Sequence, residues 1–300
     1  MVKKLAPIVL FVYNRPWHTQ QTIEALAKNE LAQDSELFIY SDAAKNELAS
    51  QSVNEVRRYI KSINGFNKIT IIERERNWGL ASSIIDGVTT IINKYGKIIV
   101  LEDDLVTSPY FLNFMNDALE FYADKPKVWH VSGWNYPFPT DWLTNMFLWR
   151  LMNCWGWATW ADRWQYYDKD IDGVISDFTK KETRAFNLDG VENFFGQVIA
   201  NKKGKINTWA IFWYATIFKQ SGLCVNPTRT YVHNIGFDAS GSHCDTDDIY
   251  ISNETESRFI TFTDVLQEDK LAMDYLKLFY KNNKKTIVMR IISKLKRVWT

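Results

Sequence analysis

Cysteine is scarce in this chain. Cys154, Cys224 and Cys244 are its three cysteines; none stands in a CxxC spacing, and an odd number leaves one thiol over in any disulfide scheme. That excludes a disulfide-stapled scaffold, argues against structural zinc and favours a reducing compartment. Excess charge is missing too. With 36 Lys and Arg against 35 Asp and Glu, the formal net charge is +1, which points to neither a nucleic acid nor an acidic partner. No apolar run approaches the ~18 residues of a membrane span. The N-terminal "MVKKLAPIVLFVYNRP" sets Lys3 and Lys4 before an apolar stretch. That stretch is short for a signal peptide, with no small-residue cleavage site after it, so it reads as a first β-strand. A Gly-rich phosphate loop is also absent: neither GxGxxG nor GxxxxGK[ST] follows that strand. This disfavours a dinucleotide dehydrogenase and a P-loop NTPase.

Alternation is what the chain does have. Apolar, β-branched runs at 7–13, 36–42, 68–74, 97–103 and 128–133 predict strands, and amphipathic stretches between them predict helices. Thr19 is the expected N-cap of the first helix, 52–64 the second helix, about Leu80 to Tyr95 the third, and 108–122 the fourth, with Pro109 in its first turn. The pattern implies an α/β fold with a mainly parallel, doubly wound sheet flanked by helices. After Gly133 the alternation stops. A Trp-rich segment follows, then a helix with an aromatic face at 206–222 and a Gly- and Asp-rich loop before residue 248. The expected organisation is a ligand-binding half at 1–133, a second half of the same domain at 134–260, and a helical tail at 261–300.

Tryptophan is plentiful: 13 residues, eight of them from Trp129 to Trp164. Such a cluster serves as a stacking platform for sugars or as bulky core. "CWGWATW" makes Trp155, Trp157 and Trp160 the platform candidates, with Gly156 letting the backbone approach a ligand closely.

In a parallel doubly wound sheet, ligands bind beyond the carboxyl ends of the strands. There strand one runs into Asn14 and Arg15, strand two into Asp42, and strand three into Glu73, Arg74, Arg76 and Asn77. Strand four runs into Glu102, Asp103 and Asp104 in "GKIIVLEDDLVTSPYF". Three adjacent carboxylates raise one another's pKa unless a cation relieves them. Cations suited to phosphates and carboxylates suited to a hard divalent metal on one rim suggest a nucleoside-diphosphate and metal site. The competing account places the acids at the positive end of the following helix, capped by Thr107 or Ser108. A second acidic cluster, Asp245, Asp247 and Asp248, follows no apolar strand and is read as loop.

"VLEDDLVTSPYFLNFM" followed by "KVWHVSGWN", with "GWATWADRW" and "NPTRTYVHNIGFDASGSHC", resembles the nucleotide-sugar glycosyltransferases of the GT-A (Rossmann-like) fold. The likeness is to the N-acetylglucosaminyltransferase I branch and to bacterial surface-polysaccharide sugar transferases, over some four-fifths of the chain. It implies that Arg15 and Asp42, with Asn77 nearby, bind the uridine end of a UDP-sugar or other nucleotide-sugar, and Glu102 and Asp103 the ribose and sugar. Asp104 would coordinate Mn²⁺ or Mg²⁺, joined by His243. The acceptor would be a glycan or lipid-linked saccharide in polysaccharide synthesis, and the enzyme a hexosyltransferase, inverting like those relatives. One departure stands out: inverting relatives carry a catalytic Asp at a helix start where this chain has Ala210. Either another carboxylate serves (Asp238 first, Asp162 behind it), or the alignment slips, or configuration is retained.

The tail "KNNKKTIVMRIISKLKRVWT" puts Ile287, Ile291, Leu295 and Val298 on one helical face amid basic residues. That suits an anionic membrane surface and a peripheral location on the inner face of the cell membrane; a terminal helix packed on the core is the alternative. Two rival functions share the fold, a non-catalytic sugar- or nucleotide-binding module and a sugar-nucleotide nucleotidyltransferase.

Overall fold

The computed structural model describes residues 4–139, 145–238, 249–250 and 260–284. Its strands are β1 Ile8–Val12, β2 Glu36–Ser41, β3 Lys68–Glu73, β4 Lys97–Glu102, β5 Leu105–Thr107, β6 Val128–Ser132, β7 Met146–Trp149, β8 Trp157–Trp160, β9 Leu223–Pro227 and β10 Val232–Asn234. The helices are α1 Pro16–Ala27, α2 Glu47–Ile60, α3 Leu80–Tyr95, α4 Phe111–Phe121, α5 Ala161–Trp164, α6 Ile171–Asp177, α7 Lys180–Phe186, α8 Phe195–Lys202, α9 Ala210–Lys219 and α10 Lys270–Asn282. Among the described residues, none of the helices is long and apolar enough to cross a membrane.

Eight strands form one sheet in the order β3-β2-β1-β4-β8-β6-β9-β7. The first four are parallel. β8 runs against β4 and β6, β9 runs with β6, and β7 runs against β9. Six strands therefore point one way and two the other, which makes this the mainly parallel α/β sheet that the alternation implied. Because β8 inserts between β4 and β6, the second half of the chain is woven into the sheet of the first.

Strand alternation sorts the core onto two faces. Ile8, Leu10, Ile99 and Leu101 pack with α1, α2 and α4. Val9, Phe11, Ile98 and Val100 pack with α3 and the aromatic second half. The next residue in that alternation, Glu102, projects toward the aromatic half.

Three local expectations are corrected. α1 begins at Pro16, whose fixed φ suits a first helical position, and Arg15 takes the cap position. Thr19 is thus inside the helix, its hydroxyl donating to the Arg15 carbonyl at 2.9 Å. α2 starts earlier than residue 52, because the Asn46 side chain accepts from the Ala49 N–H at 3.2 Å. α4 starts at Phe111 without a side-chain cap, so Pro109, Thr107 and Ser108 all precede it. Thr107 belongs to β5, which pairs antiparallel with β10. A strand therefore stands between the three acids and the helix, and the acids do not form a helix entrance.

Candidate functional site

β1 to β4 are parallel, so the residues after them share one rim, and they gather there in two groups. The first lies beyond β1 and β4. The Arg15 guanidinium donates from Nη2 to Asp103 Oδ1 and, at 2.9 Å, to Asp104 Oδ2. Tyr13 N–H donates to Asp103 Oδ2 at 3.3 Å, and the Thr22 hydroxyl holds the Asp103 carbonyl at 2.9 Å. The loop after β10 closes over the group. Ile235 N–H donates to the Asp104 carbonyl at 2.9 Å, and Gly236 N–H to Asn234 Oδ1 at 2.7 Å. Gly236 sits directly against Asp104 Oδ2, with Arg15 Nη1 beside it; a β-carbon there would collide with the carboxylate.

Burial dominates the electrostatics. Desolvation, with repulsion from Asp104 and then Asp103, pushes Glu102 up to about 8. Desolvation also raises Asp103, against the opposing pull of Arg15. Burial alone would lower Arg15, but its attraction to Asp103 and Asp104 overcomes that and raises it. The crowding expected of three adjacent carboxylates is present, and the cation that relieves it comes from the chain itself.

The second group lies beyond β2 and β3. Asp42 is buried and takes the N–H groups of Trp78 at 2.9 Å and Gly79 at 2.8 Å, plus the Asn77 amide at 3.1 Å. Asn77 also donates to the Ala43 carbonyl at 2.7 Å. Asp42 and Asn77 are thus brought together, each engaged in holding the turn into α3. Arg15, expected beside Asp42, shares no hydrogen bond with it and belongs to the acid group instead. The reason is position: Arg15 caps α1 next to β4, whereas Asp42 follows β2 on the other side of β1. Arg74 lies 4.0 Å from the centre of the Trp78 ring and 4.9 Å from that of Tyr40, and pairs with Asp86. The first of these stacks was not anticipated from the sequence, where Trp78 stands outside the Trp-rich segment.

The tryptophan candidates divide. Trp157 and Trp160 are buried, which corrects their assignment to an acceptor platform. Trp157 stacks on Trp209 and His130 with centroids 5.1 and 5.4 Å away. The Trp160 indole N–H is spent on the Leu119 carbonyl at 2.9 Å. Trp155 is only partly buried, edge-on to Trp134 at 4.5 Å and to Phe237 at 5.5 Å. Phe237 follows Gly236, so an aromatic edge borders the acid group; nothing in the sequence marked Phe237. Gly156 has φ +62, and a β-carbon there would meet Val232 at 2.8 Å. Its glycine is required by the turn and the core.

The base candidates also separate. Asp238 Oδ2 lies 3.1 Å from His18 Nε2, tying the loop after β10 to α1. Asp162 pairs with Arg163, which also donates to the Val128 carbonyl at the start of β6; Ala161 N–H bonds the Gly96 carbonyl just before β4. Both contacts lie at the rim opposite Glu102, roughly 17 Å away along β4, so Asp162 stands apart from the acid group. Ala210 is the first residue of α9 and offers no proton acceptor. His243, the acidic residues Asp245, Asp247 and Asp248, and the tail from residue 285 lie outside the described residues.

The carboxylates are the hard oxygen donors that Mn²⁺ or Mg²⁺ prefers. In chemistry the set therefore fits a divalent cation, with Asp104 as its foremost ligand. In its present arrangement two of the acids hold Arg15, and among the described residues no three His, Cys, Asp or Glu groups converge as a preformed cage.

No family model and no curated protein matches the sequence. Solved structures are similar in part. A mannosyltransferase from Pyrobaculum calidifontis in complex with GDP-Man and Mn²⁺ superposes at TM-score 0.41 and 13% identity, over 72% of this chain and 69% of that one. TarS 1–349 from S. aureus superposes at TM-score 0.41 and 11% identity, over 76% of this chain and 60% of that one. Its complex with UDP superposes at TM-score 0.31 and 14% identity, over 43% and 34%. The chain thus spans less than two thirds of the TarS structures it matches. At these TM-scores the likenesses carry no weight for function, which rests on the rim itself.

Proposed function

We propose that this chain is a metal-dependent glycosyltransferase that moves a sugar from a UDP-sugar, or another nucleotide-sugar, to a glycan or lipid-linked saccharide. The observation that carries the reading is the convergence of Arg15, Glu102, Asp103 and Asp104 at the carboxyl rim of parallel strands. The motif resemblance around "LEDDL" agrees with it. The donor diphosphate would lie over this group, its nucleoside toward the turn fixed by Asp42 and Asn77, and the acceptor would approach past Trp155. In the reaction an acceptor hydroxyl oxygen bonds the anomeric carbon while the carbon–phosphate-oxygen bond breaks. The electron pair leaves with the nucleoside diphosphate, and the hydroxyl proton passes to a base. A divalent cation held by Asp104 with its acidic neighbours would supply Lewis-acid stabilisation of that departing charge. Arg15 adds a donor already oriented at the same rim. The basic amphipathic tail would dock the enzyme on an anionic membrane face where lipid-linked acceptors are built.

Thermal-shift panels with UDP, GDP, CDP and dTDP, with and without Mn²⁺, test this on wild type and Asp104→Ala. Saturating ligand at about a hundred times its dissociation constant adds roughly 2.7 kcal/mol. A nucleotide that stabilises wild type with Mn²⁺ but not the variant is expected; a flat panel refutes the donor site. Ala210 favours one second reading, a binding module of the same fold that has lost its base. It would show the same shifts yet consume no nucleotide-sugar.

A further inference from the structure

The acid group already contains a cation. Arg15 Nη2 bridges Asp103 and Asp104, while Arg15 Nη1 is buried without a hydrogen-bond partner, beside the tight contact of Gly236 with Asp104 Oδ2. A buried donor without a partner is costly, and an anionic oxygen brought to the rim would satisfy it. A guanidinium and a divalent ion cannot both hold the same carboxylate oxygens, and a diphosphate supplies new oxygens to whichever cation is displaced.

We propose that Arg15 is a built-in counter-ion of Asp103 and Asp104 that a divalent cation displaces, and that the released guanidinium turns onto the donor's diphosphate. This rests on reading the rim as a donor and metal site. Metal binding is thereby conditional on the nucleotide: without a diphosphate to receive Arg15, displacing it leaves the guanidinium buried and unpaired. The metal alone is held weakly and the pair tightly. Arg15 is a positioning residue for the metal and a binding residue for the diphosphate.

The test is Mn²⁺ binding followed by the EPR signal of free Mn²⁺, with and without UDP or GDP. For wild type, nucleotide is expected to tighten Mn²⁺ binding at least tenfold. For Arg15→Gln, Mn²⁺ alone is expected to bind at least tenfold more tightly than to wild type, with most of the nucleotide enhancement gone. Arg15→Lys keeps a cation there and should stay close to wild type for Mn²⁺ alone. Arg15→Gln leaves buried carboxylates unpaired and should melt lower without metal; Mn²⁺ restoring its melting temperature while hardly moving wild type is the same prediction in a second readout. Arg15→Met keeps the aliphatic stem without the charge and gives a second background, in which Mn²⁺ alone should again bind more tightly than to wild type. Mn²⁺ affinities within twofold of wild type in both variants would overturn the role of Arg15 while leaving the donor site standing. Failure of every protein to bind Mn²⁺ with any nucleotide would overturn both.

Discussion

Gly236 packs against the Asp104 carboxylate so closely that a β-carbon would overlap Oδ2. The loop after β10 and the acid group therefore form one fitted surface, secured by the Ile235 N–H on the Asp104 carbonyl. Gly236→Ala must displace either the loop or the carboxylate. The change lies at the rim and not in the main core, so the global fold is expected to survive with a loss of about 1–3 kcal/mol. Nucleotide-dependent stabilisation with Mn²⁺ should fall at least as far as in Asp104→Ala. A folded Gly236→Ala protein with wild-type nucleotide shifts would show that this contact does not shape the site.

His130 is fully buried. Its Nε2–H donates to the Asn153 carbonyl at 2.8 Å, and its Nδ1 accepts from the Trp213 indole at 3.2 Å. Burial depresses its pKa to about 3. The unfolded chain takes up this proton near the ordinary histidine value of about 6.5, whereas the folded chain does so only near 3. The unfolded state thus binds more protons between those limits. The His130 contribution is complete above about pH 6.5 and is lost as pH falls toward 3, with a slope of up to about 1.4 kcal/mol per pH unit. Urea melts from pH 7 to 5 should show this loss in wild type and a shallower dependence in His130→Gln. Equal slopes would mean that His130 is not held neutral by the fold.

Arg163 is buried and donates to the carbonyls of Val128 and Ala123 at 3.3 and 2.9 Å, besides pairing with Asp162. Arg163→Met orphans those carbonyls and should cost about 1–3 kcal/mol for each one left unsatisfied. Asp162 is mostly exposed, so Asp162→Asn should cost no more than about 1 kcal/mol. Because Asp162 stands at the rim away from Glu102, that variant should also turn over at the wild-type rate. A hundredfold fall in kcat with unchanged stability would put the base back at Asp162.

The legible parts of this fold were those with local causes. The strands beginning at Ile8, Glu36, Lys68, Lys97 and Val128 are apolar runs bounded by turn residues, and Gly96 ends α3 in the left-handed conformation that glycine permits. β5 and β10 have three residues each, too few for a period to show. The pairing of Arg15 with Asp103 joins residues 88 positions apart, so it follows from strand order and not from local pattern. Sequence reasoning could place the acids on a rim but could not see that the relieving cation came from the neighbouring strand's end.

Trp155 and Trp157 lie two residues apart and should answer opposite questions. Trp157 is fully buried between Trp209 and His130, so Trp157→Ala removes core volume and is expected to cost about 3–5 kcal/mol. At a temperature where the variant remains folded, its KM for acceptor should match wild type. Trp155 is only partly buried, at the aromatic edge beside the acid group. Trp155→Ala should cost about 1–2 kcal/mol and raise the acceptor KM roughly tenfold, the loss of about one stacking contact, with donor affinity unchanged. Steady-state kinetics against acceptor, paired with urea melts, separate the two. Equal acceptor KM values in wild type and Trp155→Ala would remove the aromatic edge from the acceptor path and leave both tryptophans to the core.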